Sequence, residues 1–279
     1  MKALLEANFE VTVLTRAKKD TSDDRVGKVV EVDYTSLESL TSALQGQDAV
    51  ISLVGSSATD SQKILIDAAV AAGVKHFIPS DIGSCSTHPD LQAIPWYSSL
   101  AAVRKQLADH AKAGAFAWTV LATGVFVDVL LTVPILFDFD NHTTVLLDGG
   151  NNRMSVTSLD SVGKAIAAIL KNTDKTSNQV LFVSEAIVTQ NSVLDLAKEV
   201  RPDVEWTTTT AASSELLQQS LDGFAVGDYS WNTVGKLLSG TALAGDRYGA
   251  AFEGKDNELL GVPTLSNEQL KALIAKRLA

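Results

Sequence analysis

The sequence predicts an α/β protein built on a doubly wound parallel β-sheet, and three features support this fold class. Strand-like and helix-like stretches alternate in series up to about residue 128, an order typical of βαβ crossovers. Strand-like stretches such as ISLVG and FIP are almost continuously apolar, as strands covered on both faces are. Beyond residue 128 the rhythm changes, which indicates a second, smaller α/β region. The fold is therefore expected to be Rossmann-like.

The first half of the chain carries the elements of the predicted sheet in order. Residues 1–7 favour a helix that stops at Asn8, and residues 9–15, FEVTVLT, alternate like a strand. Further strands are predicted in VVEVDY, DAVISLVG, HFIPSD and WTVLATG, and helices in SLESLTSAL, QKILIDAAVAAG and SLAAVRKQLADHAKAG. We assign residues 1–128 to a Rossmann domain that is incomplete at its amino end.

The second half predicts a smaller, substrate-binding region over residues 129–279. HTTVLLDGGNNRMSVTS is interpreted as two strands around a Gly and Asn turn, and LDSVGKAIAAILKN as a helix. Strands follow in QVLFVSE and VEWTTTT, and helices in SVLDLAKEV, SSELLQQSL and SNEQLKALIAKRLA. Part of residues 154–172 is expected to pack back on the Rossmann domain.

Composition excludes several classes of protein. The 279 residues carry a net charge of -10, which argues against nucleic acid or an anionic membrane as partner, and no apolar run is long enough to span a bilayer. The single Cys85 excludes an internal disulfide and a cysteine-based zinc site, so we expect a cytoplasmic protein. The four His lack the spacing of a helical metal site, and no metal is predicted.

The opening residues predict a cofactor site whose first part is missing. In a doubly wound sheet that binds a dinucleotide, a glycine-rich turn follows the first strand, and the residue that binds the ribose lies about 20 positions later. The second strand of such a unit here ends at Thr15 and Arg16. Counting back about 20 positions passes Met1. We therefore expect the first strand and the glycine turn to lie upstream of the present Met1.

Arg16, with Lys18 and Lys19, stands where NAD-binding proteins carry an acid for the ribose 2′-hydroxyl. An Arg at this place accommodates the 2′-phosphate of NADP, so the charge favours NADP as cofactor. The alternative is that RAKK is a solvated surface loop.

Small residues follow two other strands, where ligands bind in such sheets: Gly55 and Ser56 in one case, Ser80 and Gly83 in the other. Tight strand-to-helix turns would also explain them. His88, beside Pro89 in a loop near the expected cleft, is a candidate for contact with substrate.

A catalytic Tyr-x-x-x-Lys pair is not present at Tyr97. Four positions after Tyr97 comes Ala101, so the Lys that would lower the pKa of the phenol is missing. Tyr97 is expected to pack at the start of a helix. Neither a Gly-x-Ser-x-Gly elbow nor a Walker-type phosphate loop occurs, which removes two further enzyme classes.

Five stretches, taken in order, resemble the NmrA-like family, which includes isoflavone reductase and phenylcoumaran benzylic ether reductase. They are VTVLTR, VVEVDYTSLESLTSALQGQDAVISLVG, GVKHFIPSDIG, AWTVLATGVF and DNELLGVPTLSNEQL. The resemblance covers essentially the whole chain and is greatest to fungal members. It implies an atypical short-chain dehydrogenase fold, with an NADP-binding Rossmann domain and a C-terminal substrate domain. The Gly-x-x-Gly-x-x-Gly turn that members normally carry is lacking here.

The resemblance also implies roles for individual residues. By position, Arg16 matches the 2′-phosphate contact, Asp33 the adenine-side loop, Gly55 and Ser56 the nicotinamide-ribose loop, and Ser80 the Ser of a Pro-Ser-Glu-Phe-Gly stretch, whose Glu and Phe are Asp81 and Ile82 here. The match of ATGVF places Thr123 by the cofactor and Gly124 and Phe126 by the substrate.

One departure from the family concerns the chemistry. Its reductases carry a Lys three residues before the Val of VRKQL, and that position is Leu100. An alkyl side chain cannot transfer a proton or hold a nicotinamide ribose. Arg104 lies one turn further along the same face, but a guanidinium stays protonated and is a poor acid or base. No catalytic residue is therefore assigned.

Three hypotheses on function follow. The first is an NADP(H)-dependent reductase, monomer or homodimer, that acts on a small substrate, with aromatic compounds as the candidate class. The second is a non-catalytic NADP-binding regulatory or redox-sensing protein, which Leu100 favours. The third is a degenerate chain that binds no dinucleotide, because without its first strand the sheet would lose a central member.

Overall fold

The structure is a computed structural model that describes residues 1–17, 26–83 and 85–279. From residue 28 to residue 122, strands and helices alternate as the sequence predicts. The elements of this part are α1 (Lys2–Glu6), β1 (Thr12–Thr15), β2 (Lys28–Glu31), α2 (Leu37–Leu44), β3 (Ala49–Ile51), α3 (Gln62–Ala71), β4 (His76–Ile78), α4 (Pro95–Ala111) and β5 (Ala117–Ala122). Short 3₁₀ turns lie at Ser56–Ser61 and Pro89–Leu91.

The remainder of the chain is built from shorter strands and a larger share of helix. Its elements are β6 (Val125–Phe126), α5 (Val127–Thr132), β7 (Phe137–Asp138), β8 (Thr143–Leu147), β9 (Met154–Thr157), α6 (Leu159–Lys171), α7 (Thr173–Thr176), β10 (Gln179–Phe182), β11 (Ala186–Val188), α8 (Gln190–Val200), β12 (Thr207–Ala211), α9 (Ser213–Ala225), α10 (Trp231–Gly240), α11 (Asn257–Leu260) and α12 (Asn267–Leu278). Another 3₁₀ turn lies at Gly245–Tyr248.

The predicted parallel sheet is confirmed, but it consists of two pieces. Strands β10, β5, β4 and β3 form a four-stranded sheet in that order, and β1 pairs with β2 in a separate parallel ladder. Helices α2, α3 and α4 bury one face around Leu40, Ile66 and Val103. Helix α6 covers the other face, where Ala165 and Ile169 pack with residues of β4 and β5. The sheet is thus covered on both sides, which explains its continuous apolar strands.

The two strands predicted around the Gly and Asn turn form as β8 and β9, but they do not pair with each other. Strand β8 lies antiparallel to β7 and parallel to β12, whereas β9 pairs with β11 and β6 in a different sheet. A Gly and Asn turn reverses a chain locally, but the strand partners here are set by distant segments. Both small sheets pack around a core that includes Phe137, Met154 and Trp206.

Several helices begin at a residue that caps them. The side chain of Ser36 accepts from the Ser39 N–H at the start of α2, and Thr189 and Ser192 form a reciprocal capping box at α8. Among the residues described, no helix is both long and apolar enough to cross a bilayer. The division of the chain into domains at residue 128 stays a prediction.

Candidate functional site

Arg16 and Asp33 line one open cleft of about 570 Å³ at the carboxyl ends of β1 and β2. Arg16 is exposed directly after β1 and makes no ion pair with another described residue. The Asp33 carboxylate accepts from the backbone N–H and the hydroxyl of Thr35, at 2.8 and 2.7 Å, and these bonds lower the pKa of Asp33 below its usual value. The cleft is thus lined by both a cation and a carboxylate.

This arrangement fits the 2′-phosphoribose end of NADP, because an exposed guanidinium pairs well with a phosphate. Lys18, the other basic residue predicted to bind the cofactor, lies outside the described residues. Strands β1 and β3 do not pair with each other, and the described residues place no glycine-rich turn between them.

Ser80 joins the carboxyl ends of β3 and β4. Its hydroxyl donates to the carbonyl oxygen of Val54 at 2.8 Å, and its N–H donates to Oε1 of Gln62 at 2.7 Å. Gly55 follows Val54 and precedes the 3₁₀ turn that begins at Ser56. The ends of β3 and β4 therefore meet at one edge, as in any parallel sheet. The hydrogen of the Ser80 hydroxyl is donated to the Val54 carbonyl.

A cavity of about 400 Å³ opens beside this edge and brings together three of the predicted lining residues, Ser80, Gly83 and Phe126. Leu100, which stands in place of the family's Lys, lines the same cavity. The lining is mainly apolar and includes Leu53, Val54, Ile82, Trp96, Tyr97, Leu238 and Ala242. Leu100, on α4, is only 7% exposed. A pocket of this kind suits a small, largely apolar ligand.

Tyr97 is buried as predicted, with 3% of its surface exposed, and its hydroxyl hydrogen is committed. The Tyr97 hydroxyl lies 2.7 Å from Oγ1 of Thr241, and Thr241 donates its own hydrogen to the Leu237 carbonyl at 2.7 Å. Tyr97 must therefore donate to Thr241. Burial raises the pKa of Tyr97 well above its ordinary value of 10. The phenol is thus a neutral structural group rather than an acid for a substrate.

The guanidinium of Arg104, one turn beyond Leu100, is also engaged by protein partners. Its Nη1 contacts Oδ2 of Asp81, and its Nη2 donates to the Ser86 carbonyl at 2.8 Å. The side chains of Arg104 and Asp81 are 12% and 1% exposed, so this is a buried ion pair. The sequence showed both residues but not their pairing.

Thr123 and Gly124 do not line the cavity, and their contacts are with the backbone of neighbouring segments. Thr123 is fully buried, its N–H donates to the Gly83 carbonyl at 2.9 Å, and its carbonyl accepts from the Thr157 hydroxyl at 2.7 Å. Gly124 has a φ of +69°, and a Cβ there would lie 2.1 Å from the carbonyl oxygen of Ser155. Their expected roles at cofactor and substrate stay predictions that this packing does not favour.

His88 lies outside the lining of the cavity. Its ring meets the Tyr248 ring edge-on at 5.6 Å, and its Nδ1 accepts from the Asp90 N–H at 3.3 Å. The contact of His88 with substrate stays a prediction. Within the described ranges, no group of three His, Cys, Asp or Glu is placed to hold a metal ion.

Part of the cavity wall was not found in the sequence. Leu238 lies on α10, a helix that we did not predict, and Ala242 follows it. Val234, Leu237 and Leu238 have the i, i+3, i+4 spacing of a helix that is apolar on one face, and this signal could have identified α10.

Comparison with known proteins agrees with this fold and with the resemblance. The profile of the NmrA-like family matches residues 1–219. The oxidoreductase aprR of Aspergillus flavus is 30% identical over 277 residues, which cover 96% of this chain and 91% of the relative. The oxidoreductase poxI of Penicillium oxalicum is 29% identical over 281 residues, with 98% and 88% covered. Among solved structures, the binary complex of leucoanthocyanidin reductase and NADPH from Vitis vinifera has a TM-score of 0.77 at 15% identity, with 99% of this chain and 94% of that chain covered.

Proposed function

This chain belongs to the NmrA-like family, and we propose that it is an NADP(H)-dependent oxidoreductase that reduces a small substrate in the cavity beside Leu100. The observation that carries the proposal is the meeting of Arg16 and Asp33 in one cleft at the carboxyl ends of β1 and β2. Support also comes from two fungal relatives described as oxidoreductases and from a structural neighbour that binds NADPH.

The residues of this edge would divide the work of binding. Arg16 would hold the 2′-phosphate and Asp33 would lie on the adenine side, while Gly55 and Ser56 would border the nicotinamide ribose. When bound, the cofactor supplies a hydride from C4 of its nicotinamide. Ser80 would keep the ends of β3 and β4 together beside the residues that border the nicotinamide ribose.

The cavity would orient the substrate. Phe126 and Leu100 offer apolar surface, which suits a small aromatic compound. The hydroxyl hydrogens of Ser80 and Tyr97 are both committed to protein oxygens. We therefore propose that rate enhancement comes mainly from positioning, and that the substrate takes its proton from water rather than from an acid of the protein.

A second candidate function is that of a non-catalytic NADP-binding regulatory protein. Leu100 favours it, because an alkyl group stands where the family's reductases have a Lys. Binding of NADPH is common to both candidates, and only turnover separates them.

The test begins with titration of the protein with NADPH and with NADH, followed by quenching of its Trp fluorescence. We expect NADPH to bind at least about tenfold more tightly than NADH, and Arg16→Glu to remove this preference. Lys198→Glu, an equal change of charge on the exposed face of α8, is the matched control and should leave both affinities unchanged. Equal affinities for the two cofactors, or no effect of Arg16→Glu, would refute the assignment.

Turnover is then measured with NADPH and a panel of small aromatic acceptors, by loss of the absorbance of NADPH. Oxidation of NADPH that depends on an acceptor would establish the reductase. Selective binding of NADPH without turnover of any acceptor would favour the regulatory function.

A further inference from the structure

A second cavity, of about 290 Å³, lies against helix α10 and shares no residue with the cavity beside Leu100. Helix α10 packs on the core that contains Tyr97 through Val234 and Leu237, which are 4% and 0% exposed. The face about half a turn away lines this second cavity, which we call the α10 cavity, with residues three or four positions apart. They are Asn232, Gly235, Lys236 and Ser239.

The wall opposite this face of α10 is apolar. Strands β8 and β12, helix α9 and the segment before β7 supply Pro134, Ile135, Val145, Leu147, Ala211 and Leu216. Two large apolar side chains at the cavity are open to solvent, since Val145 is 38% and Trp231 is 60% exposed. Exposed apolar side chains grouped around a hollow are typical of a site that binds a ligand.

Gly235 leaves space in the α10 cavity. It lies in the middle of α10, where Gly is less favourable than Ala, and a Cβ there would meet no atom within 4 Å. The glycines that pack α9 against α10 are different, because a Cβ at Gly223 would lie 2.8 Å from Thr233 and one at Gly240 would lie 2.5 Å from Leu217. Helix packing therefore explains Gly223 and Gly240 but not Gly235.

Two polar side chains of the cavity lack protein partners. Ser239 is only 6% exposed, and its hydroxyl makes no hydrogen bond with any residue that the structure describes. Lys236 is half-buried, and its ammonium group forms no ion pair or hydrogen bond within the described ranges. A polar group in such surroundings is stabilised by a ligand that supplies the missing acceptor.

The acid whose charge Lys236 affects is already engaged. The Asp228 carboxylate accepts from the Thr233 hydroxyl at 2.5 Å and from the Ser230 N–H at 2.8 Å. These hydrogen bonds, with a smaller effect of the Lys236 charge, lower the pKa of Asp228. The positive charge of Lys236 is therefore available to an anion in the cavity.

The arrangement specifies the chemistry of a ligand. Lys236 and Ser239 lie one turn apart on the same face, where Cβ atoms are about 5–6 Å from each other, so one carboxylate could accept from both. The indole of Trp231 offers a flat surface for an aromatic ring. The volume is roughly twice that of a cavity of about 150 Å³ that holds benzene, so a ring system larger than benzene fits.

We propose that the α10 cavity is a binding site for a small aromatic carboxylate, with its ring between Trp231 and the apolar wall and its carboxylate on Lys236 and Ser239. The site is separate from the proposed substrate cavity. This inference does not depend on the proposed function, and its test uses no cofactor.

The test titrates the 279-residue protein with 2-naphthoate by isothermal titration calorimetry. We expect one site with a Kd below about 1 mM. The uncharged 2-naphthamide has the same ring system and should bind at least about tenfold more weakly. Lys236→Met should weaken the binding of 2-naphthoate at least about tenfold. Lys198→Met makes the same change of charge on the exposed face of α8 and should leave the affinity within about twofold.

A pair of variants at Gly235 tests the position of the ligand. Gly235→Leu should fill the cavity and weaken binding at least about tenfold, while Gly235→Ala should keep the affinity within about threefold. Neither should lower the melting temperature, because Ala and Leu favour a helix more than Gly does.

Three results would overturn the inference. One is the absence of binding at about 5 mM 2-naphthoate. Another is binding that both Lys236→Met and Gly235→Leu leave unchanged, which would place the ligand elsewhere, such as in the cavity beside Leu100. The third is a dimer that Trp231→Ser dissociates, measured by analytical ultracentrifugation, because a second copy of the chain would then cover the cavity.

Discussion

Arg104 and Asp81 form an ion pair beside the cavity, with only 12% and 1% of their side chains exposed. The pair joins α4 to the segment that follows β4, and Arg104 extends the link by donating to the Ser86 carbonyl at 2.8 Å. Both elements contribute to the lining of the cavity, through Leu100 and Ser80. Asp81 itself also lines the cavity, so the pair ties one wall of the proposed substrate site to the other.

Removing one partner of this pair should be strongly destabilising. We expect Arg104→Met to lower the free energy of unfolding by about 3–5 kcal/mol, because it leaves the Asp81 carboxylate buried without its cation. The double variant Arg104→Met with Asp81→Leu should be more stable than the single one. Urea unfolding measures both values. Arg201→Met is the control, since its pair with Asp203 is exposed and should contribute less than about 1 kcal/mol. If Arg104→Met also lowered the free energy of unfolding by less than about 1 kcal/mol, the assignment of a buried pair would be contradicted.

Tyr97→Phe should leave the rate of any reductase activity within about threefold of the parent rate, because we do not expect Tyr97 to act as a general acid. Loss of a general acid would lower the rate by at least about a hundredfold. The Tyr97 hydroxyl donates to Thr241, and burial raises the pKa of Tyr97 well above 10, so no ionisation of this residue should appear in the pH profile. The measurement is kcat against pH for both proteins, with melting temperature as the check on folding. A loss of activity in a folded Tyr97→Phe would show that Tyr97 is catalytic after all.

The residue that replaces the family's Lys gives a paired prediction. Leu100→Lys would place an ammonium group in the apolar cavity, and we expect it to raise a measurable reductase rate if the missing Lys limits proton transfer. Leu100→Met, which keeps the site apolar, is the matched control. An unchanged rate for a folded Leu100→Lys would show that the absent Lys does not limit this protein.

His76 should make the fold sensitive to acid. Burial lowers the pKa of His76 from 6.5 to about 4, and its Nε2 donates to the Thr119 hydroxyl at 2.9 Å, since Thr119 gives its own hydrogen to the Thr176 carbonyl at 2.6 Å. Between about pH 6.5 and pH 4 the unfolded chain binds more protons at this residue than the folded one. Stability therefore falls as the pH falls through this window, by up to about 3 kcal/mol from His76.

The contribution of His76 is isolated by comparing variants. Urea unfolding from pH 8 to pH 4 should show a shallower loss of stability for His76→Gln than for the parent. His110→Gln, which changes a more exposed His beside Asp67, should follow the parent curve closely. Parallel curves for His76→Gln and the parent would exclude the burial of a neutral His as the cause.

The sequence predicted the central sheet well because its signals are local. Continuous apolar runs and helical spacing fix which residues become strand or helix, and parallel strands bring their carboxyl ends to one edge, where Arg16 and Asp33 line the same cleft. The strands β8 and β9 were predicted, but their partners were not, because the partners of a strand depend on distant segments. The same holds for Arg104 and Asp81, which lie 23 positions apart in the chain.

Gly124 has a backbone requirement that the resemblance did not indicate. The match of ATGVF places Gly124 by the substrate, and its φ is +69° and a Cβ would lie 2.1 Å from the Ser155 carbonyl oxygen. We expect Gly124→Ala to lower the free energy of unfolding by more than about 3 kcal/mol, since both the backbone strain and the contact with β9 act against it. Gly227→Ala is a matched control, because Gly227 has a similar φ of +79° and no atom within 4 Å of a Cβ, so only the strain of about 1 kcal/mol should remain. Urea unfolding of both variants measures the difference, and equal losses would mean that β9 moves aside. In that case the segment could adapt to a ligand, and the role of Gly124 at the substrate would regain support.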